Sequence, residues 1–174
     1  MGYDEWTNAY HSGKNQITIN DVMLYEEPVK ESTEIVVTLD DLVLVEKGTD
    51  TNLLKDGDFN AQGAWLIGGG ANFKFESTTG AQITITNEGK DPWDVIMYQP
   101  NTTLEQGKRY VLSFKGKADR DKKIQMRTSN KSYADYFVKA FDLTTEVQEF
   151  NYEFTTNLET SSELEFKIFM GAGI

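Results

Sequence analysis

The stretch that most constrains this chain runs from Asp91 to Thr128, DPWDVIMYQPNTTLEQGKRYVLSFKGKADRDKKIQMRT. It holds three short runs, Val95 to Gln99, Tyr110 to Lys115 and Lys123 to Thr128, each bounded by Gly, Pro, Asn, Asp or charge. In the middle run Tyr110, Leu112 and Phe114 alternate with Val111, Ser113 and Lys115, which is the period of two that a pleated strand imposes. One face must therefore be core. The third run sends Ile124 and Met126 inward and leaves Gln125 and Arg127 pointing away from the core, toward the loop that carries Trp93. A planar aromatic beside long hydrogen-bonding side chains suits a sugar, because such a site is mostly stacking surface with a few placed polar groups.

The rest of the chain repeats the strand signal. Residues 1–16, MGYDEWTNAYHSGKNQ, have no period and read as loop. In ITINDVMLYEEP the apolar face Ile17, Ile19, Val22, Leu24 changes phase at Asn20 and Asp21, as a bulged strand would. Residues 37–46, VTLDDLVLVE, repeat this run at an offset of twenty, matching Thr18 to Thr38, Asp21 to Asp41, Leu24 to Leu44 and Glu26 to Glu46. Further short strands are expected in NLLKDGDFN, LIGGGANFKFES, AQITIT, VKAFDLTT, EFNYEFTT and ELEFKIFM, with SNKSYADYF as a loop. No segment carries a sustained apolar stripe at helical spacing, so the expected class is all-β, a sandwich or jelly roll.

Length and charge narrow the partners. A chain of 174 residues is one domain, or one domain with an appendage. Its net charge of −11 disfavours nucleic acid and anionic membrane, both of which need a cationic footprint. With no cysteine, thiol chemistry and Cys-ligated zinc are excluded. No apolar run approaches the roughly 18 residues of a membrane-spanning helix. The start MGYDEWTNAY is acidic and aromatic, so any export signal is expected outside these residues.

The order NLLKDGDFN, DPWDVIMYQ, LEQGKRYVLSFKGKADRDKKIQMRT, FDLTTEVQEFNYEFT resembles the carbohydrate-binding modules of the family 4, 9, 16 and 22 group. That group opens on an N-L-hydrophobic-x-x-G-D-F strand, continues with G-K-x-Y-x-L-S-F and closes on I-x-I-D-D-V-x-L. The resemblance implies a jelly-roll sandwich that binds one β-linked chain, xylan or β-glucan. It also implies attachment to a secreted glycoside hydrolase such as a xylanase, a secreted or cell-surface location, and often a structural calcium. Here the closing strand is missing after ELEFKIFMGAGI, and its look-alike ITINDVMLYEE stands at the front. Residues 1–28 are accordingly expected to supply a loop and closing strand to a sandwich over 29–174. They would do so in permuted order, by exchange in a strand-swapped dimer, or as the remnant of a preceding module, with VTLDDLVLVE then doing the pairing.

The candidate sugar contacts are Trp93 as the stacking platform, Tyr133 and Tyr136 as an opposite wall, and Trp6 if residues 1–28 close the sandwich. Gln125 and Arg127, with Asp94 or Tyr98 from the neighbouring strand, would supply polar contacts, and Lys167 is a weaker candidate of the same type. Trp65 reads equally well as core. Asp21, Asp41, Asp58 and Asn60 are the candidate calcium ligands, although the family pattern has an acidic residue where Asn60 stands. Catalysis is not expected. Glycoside hydrolysis needs two opposed carboxylates, and the pairs Glu163 with Glu165 and Glu146 with Glu149 fit no Glu-x-Asp-x-x-Glu motif.

Overall fold

The computed structural model describes residues 32–174. Ten strands follow in chain order: β1 (Ile35–Glu46), β2 (Leu66–Gly69), β3 (Ala71–Glu76), β4 (Gly80–Ile85), β5 (Val95–Leu104), β6 (Arg109–Ala118), β7 (Lys122–Ser129), β8 (Asp135–Leu143), β9 (Gln148–Thr155) and β10 (Ser161–Phe169). A 3-10 turn, Pro92–Asp94, precedes β5, and the described residues contain no α-helix. The strands form two five-stranded antiparallel sheets, ordered β3-β4-β1-β6-β9 and β2-β5-β10-β7-β8. This is the all-β sandwich that the alternation predicts.

The period of two decides which side chains fill the space between the sheets. Val37, Leu39, Ala81, Ile83, Leu112 and Phe114 from the first sheet are buried with Met97, Ile124, Met126, Leu164, Phe166 and Ile168 from the second. Aromatic pairs join the layers at one side, where Phe114 meets Phe141 edge-on at 5.0 Å and Phe137 stacks on Phe154 at 4.4 Å.

The copy of the repeated strand at 37–46 lies inside β1, paired on one side with β4 and on the other with β6. Its register shifts between Asp40 and Val43, and Asp41 takes a φ of 50°. Asp tolerates that left-handed conformation better than most residues, and the Asp40 carboxylate accepts the Asp41 N–H at 2.9 Å. The bulge keeps Leu42 and Leu44 buried after the phase change. The first copy, and with it the expected closing role of residues 1–28, lies outside the described residues.

Three expected elements differ. NLLKDGDFN is not a strand: it runs as turns and bends, with Asp56 and Phe59 at positive φ of 50° and 51°. Adjacent Leu53 and Leu54 followed by Asp56, Gly57 and Asp58 break the alternation, so the segment packs as a loop. Leu53 N–H reaches Leu44 O at 2.7 Å, and the buried Gln99 side chain bonds both main-chain groups of Lys55. LIGGGANFKFES splits into β2 and β3, which belong to different sheets. SNKSYADYF is only partly loop, because β8 begins at Asp135 and takes in Tyr136 and Phe137.

Candidate functional site

The second sheet turns a coherent row of side chains away from the core. Cross-strand register places Leu66, Tyr98, Lys167, Arg127 and Val138 side by side across β2, β5, β10, β7 and β8. The next row contains Ile96, Phe169 and Gln125. β10 lies at the centre of this sheet, so Lys167 and Phe169 form a floor.

That floor is an unusual place for charge. Lys167 is only 7% exposed and stands directly opposite Arg127, a like-charged pairing that is unfavourable unless compensated. Each cation has its own carboxylate. Lys167 Nζ lies 2.8 Å from Glu165 Oε2 and donates to Ser129 Oγ at 3.0 Å. Arg127 Nη2 donates to Asp135 Oδ2 at 2.6 Å, and its Nε lies 2.5 Å from Oδ1 as an ion-pair contact without hydrogen-bond geometry. The cations are thus neutralised donors rather than an anion trap.

Walls rise on this floor. Trp93, Tyr133, Arg127, Lys167, Ile96 and Phe169 line a cleft of about 480 Å³. Trp93 is 56% exposed and Tyr133 77%, and the Tyr133 ring centroid lies 5.6 Å from Lys167 Nζ, within cation–π range. Large apolar rings left this open beside a concave surface make this cleft the candidate binding site.

Trp93 sits in the Pro92–Asp94 turn, which Pro92 starts and the Asp91 and Asp94 side chains close as a capping box. The Asp94 carboxylate accepts the N–H groups of Lys90 at 2.7 Å and Asp91 at 3.1 Å. Those bonds hold its pKa below the ordinary value of 3.8, with Lys90 the larger contributor, so the group stays charged across the neutral range. The neighbouring chain approaches closely. Gly69 has a φ of 96°, and a Cβ there would lie 1.8 Å from Asp94 O. The end of the chain clasps the same loop: Met170 N–H bonds Val95 O at 2.8 Å, Gly171 N–H bonds Pro92 O at 2.9 Å and Ala172 N–H bonds Glu88 O at 3.0 Å. Lys122 adds a side-chain link to Glu88 and Gly171 O.

Of the expected contacts, Trp93, Arg127 and Tyr133 come together with Lys167. Tyr98 and Gln125 share their face without lining the cleft itself. Asp94 is turned to the main chain. Tyr136 packs against the core and donates its hydroxyl to Glu159 O at 2.8 Å. Trp6 and Asp21 lie outside the described residues. The apolar floor, Ile96 and Phe169, was not anticipated, although the inward set Leu164, Phe166, Ile168 in ELEFKIFM already puts Phe169 on the face of Lys167.

Among the described residues, the calcium candidates Asp41, Asp58 and Asn60 do not form a fitting set as they stand. Asp41 and Asp58 line one cleft with Asp56, but Asp41 Oδ2 lies 2.8 Å from Lys115 Nζ, and Asn60 donates its amide to Asp58. Asp56 Oδ2 accepts the Ala64 N–H at 2.8 Å. Among the described residues no cluster of three or more His, Cys, Asp or Glu is arranged to hold a metal. Of the candidate catalytic carboxylates, Glu165 is paired with Lys167 and Glu163 with Lys131.

The comparisons with known proteins identify the family and the fold. Residues 51–173 match the family model CBM_4_9, described as a carbohydrate binding domain. The solved structure "CBM4 structure and function" is 26% identical, with a TM-score of 0.58 over 69% of this chain and 90% of its own. A second, "BiXyn10A CBM1 APO", is 14% identical over 63% of this chain and 80% of its own, with a TM-score of 0.51, and shares the fold. No curated protein matches. The family model spans most of the chain and contains all six cleft residues, so this chain belongs to the CBM_4_9 carbohydrate-binding domains and is a noncatalytic binding domain.

Proposed function

We propose that the cleft binds a single β-linked polysaccharide chain, xylan in the first place and β-glucan as the nearest alternative, and that the domain thereby holds a parent secreted glycoside hydrolase at its substrate. The observation that carries this reading is the pair of exposed rings, Trp93 and Tyr133, facing one cleft over charge-neutralised donors. Sugar rings offer an apolar face to such walls and hydroxyls to Arg127 and Lys167. Xylan comes first because its unit lacks the hydroxymethyl group, which makes it the least demanding chain for a cleft walled on both sides. Affinity on the order of 10 to 100 μM is sufficient, since tethering raises the local concentration of an attached enzyme.

Affinity gel electrophoresis on arabinoxylan, barley β-glucan and hydroxyethylcellulose tests it. Retardation is expected on arabinoxylan. Retardation on β-glucan alone would change the backbone and keep the site. Retardation on none of the three would sink the proposal in favour of a cell-surface protein partner, with sizing to reveal whether residues 1–28 exchange between two copies.

Calcium is tested separately. Because Asp41 is already paired with Lys115 and Asp58 with Asn60, a chelator is expected to leave the melting temperature unchanged. A clear fall would mean that these groups exchange their present partners for an ion.

A further inference from the structure

We infer that Asp94 and Asn130 are positioning residues that hold the two stacking walls of the cleft in place, each acting through one aromatic and not through the sugar. This rests on the cleft being the binding site.

The two walls are built by the same device. Each ring projects from a short loop segment that has no ladder of its own to stabilise it. In each, one side-chain oxygen accepts two main-chain N–H groups and closes the loop. For Trp93 the oxygen is Asp94 Oδ2, with Lys90 and Asp91 as donors, while the Asp94 N–H returns a bond to Asp91 O at 3.1 Å. For Tyr133 it is Asn130 Oδ1, which accepts from Ser132 N at 3.0 Å and Ala134 N at 2.9 Å. The Asn130 main chain completes the ring: its carbonyl accepts the Tyr133 N–H at 3.0 Å, and its own N–H reaches Ala134 O at 3.2 Å.

Both cages depend on left-handed backbone, at the aromatic itself in one and at a glycine in the other. Tyr133 is held at a φ of 62°, where residues other than glycine stay only if their surroundings over-determine it. At the other wall Gly89 has a φ of 70°, and a Cβ added there would lie 2.1 Å from Asp94 Oδ2, so the cage needs a glycine to admit the carboxylate. The bonds from Gly171 and Ala172 attach the Trp93 loop to the sandwich, and the cages set the local geometry from which each exposed ring projects. Released from its cage, a ring would occupy its binding position for only part of the time, and apparent affinity would fall by that fraction.

The experiment is a pair of double-mutant cycles, Asn130→Ala with Tyr133→Ala and Asp94→Ala with Trp93→Ala. Binding is read by calorimetry on the soluble polysaccharide that the gels retain, and melting temperatures confirm folding. Each cage variant alone is expected to weaken binding about fivefold, the shift that loss of one capping side chain brings to a local equilibrium. Added to the matching aromatic variant it should cost nothing more, because its only route to the sugar is gone. Asn130→Asp and Asp94→Asn, which keep the accepting oxygen, should restore affinity. Gly89→Ala should mimic Asp94→Ala, which covers the case in which Asp94→Ala misfolds. Losses that add in the double variants, or cage variants that bind like the parent while Trp93→Ala and Tyr133→Ala do not, would overturn the inference alone. Aromatic variants that bind like the parent would overturn the site itself.

Discussion

Replacing Trp93 with alanine is expected to weaken polysaccharide binding about thirtyfold, or about 2 kcal/mol, the range in which one well-placed aromatic anchor falls. The indole is the larger of the two walls. It is more than half exposed, and the first core residue beyond it is Val95. Its removal therefore deletes stacking surface without opening a cavity in the sandwich, and the melting temperature should not move. Calorimetry on the retained polysaccharide, run beside a thermal scan, checks both halves. A variant that bound as well as the parent would place the sugar away from the Trp93 and Tyr133 cleft.

The same substitution at Trp65 should do the reverse. Trp65 is fully buried, with Phe59 at 5.4 Å and Phe166 at 6.3 Å between ring centroids, and its indole N–H donates to Asp56 O at 3.0 Å. Trp65→Ala leaves a large void and an unpaired carbonyl, and substitutions of this kind cost about 3–5 kcal/mol. Domains are stable by only about 5–15 kcal/mol, so about a fifth or more of the total would be lost. The urea midpoint should fall steeply, with the slope little changed. Because Trp65 leads into β2 and Phe166 lies one residue from Lys167, binding should weaken only where the fold does. A midpoint near that of the parent would mean that the 47–65 loop is not anchored through this ring.

What the sequence shows and hides follows from the range of the interactions involved. Alternation is local, so β6 and β7, with Tyr110, Leu112 and Phe114 or Ile124 and Met126 inward, could be read residue by residue, and the outward set Gln125 and Arg127 came with them. Strand order is not local. Nothing in ELEFKIFM says that β10 lies between β5 and β7, yet that neighbourhood makes Lys167 a buried floor residue instead of a solvated lysine on an edge. Asp94 is hidden for a related reason: a carboxylate beside an aromatic reads as a contact, and only the three-dimensional turn shows its Oδ2 accepting from two amides. Tyr136, one residue inside β8, reads as loop because the turn-type residues Asn130, Ser132 and Asp135 run up to and into the start of the strand. Trp65 had no period to assign it, and the ring contacts that bury it come from Phe59 and from Phe166, a hundred residues further on.

The bonds from Gly171 and Ala172 to Pro92 and Glu88 tie the end of the last strand to the loop that carries Trp93, while Met170 is bonded to Val95 at the start of β5. A pull at Ile174 is therefore expected to load the rim of the cleft first, so that the grip on a bound polysaccharide loosens while the sandwich stays closed.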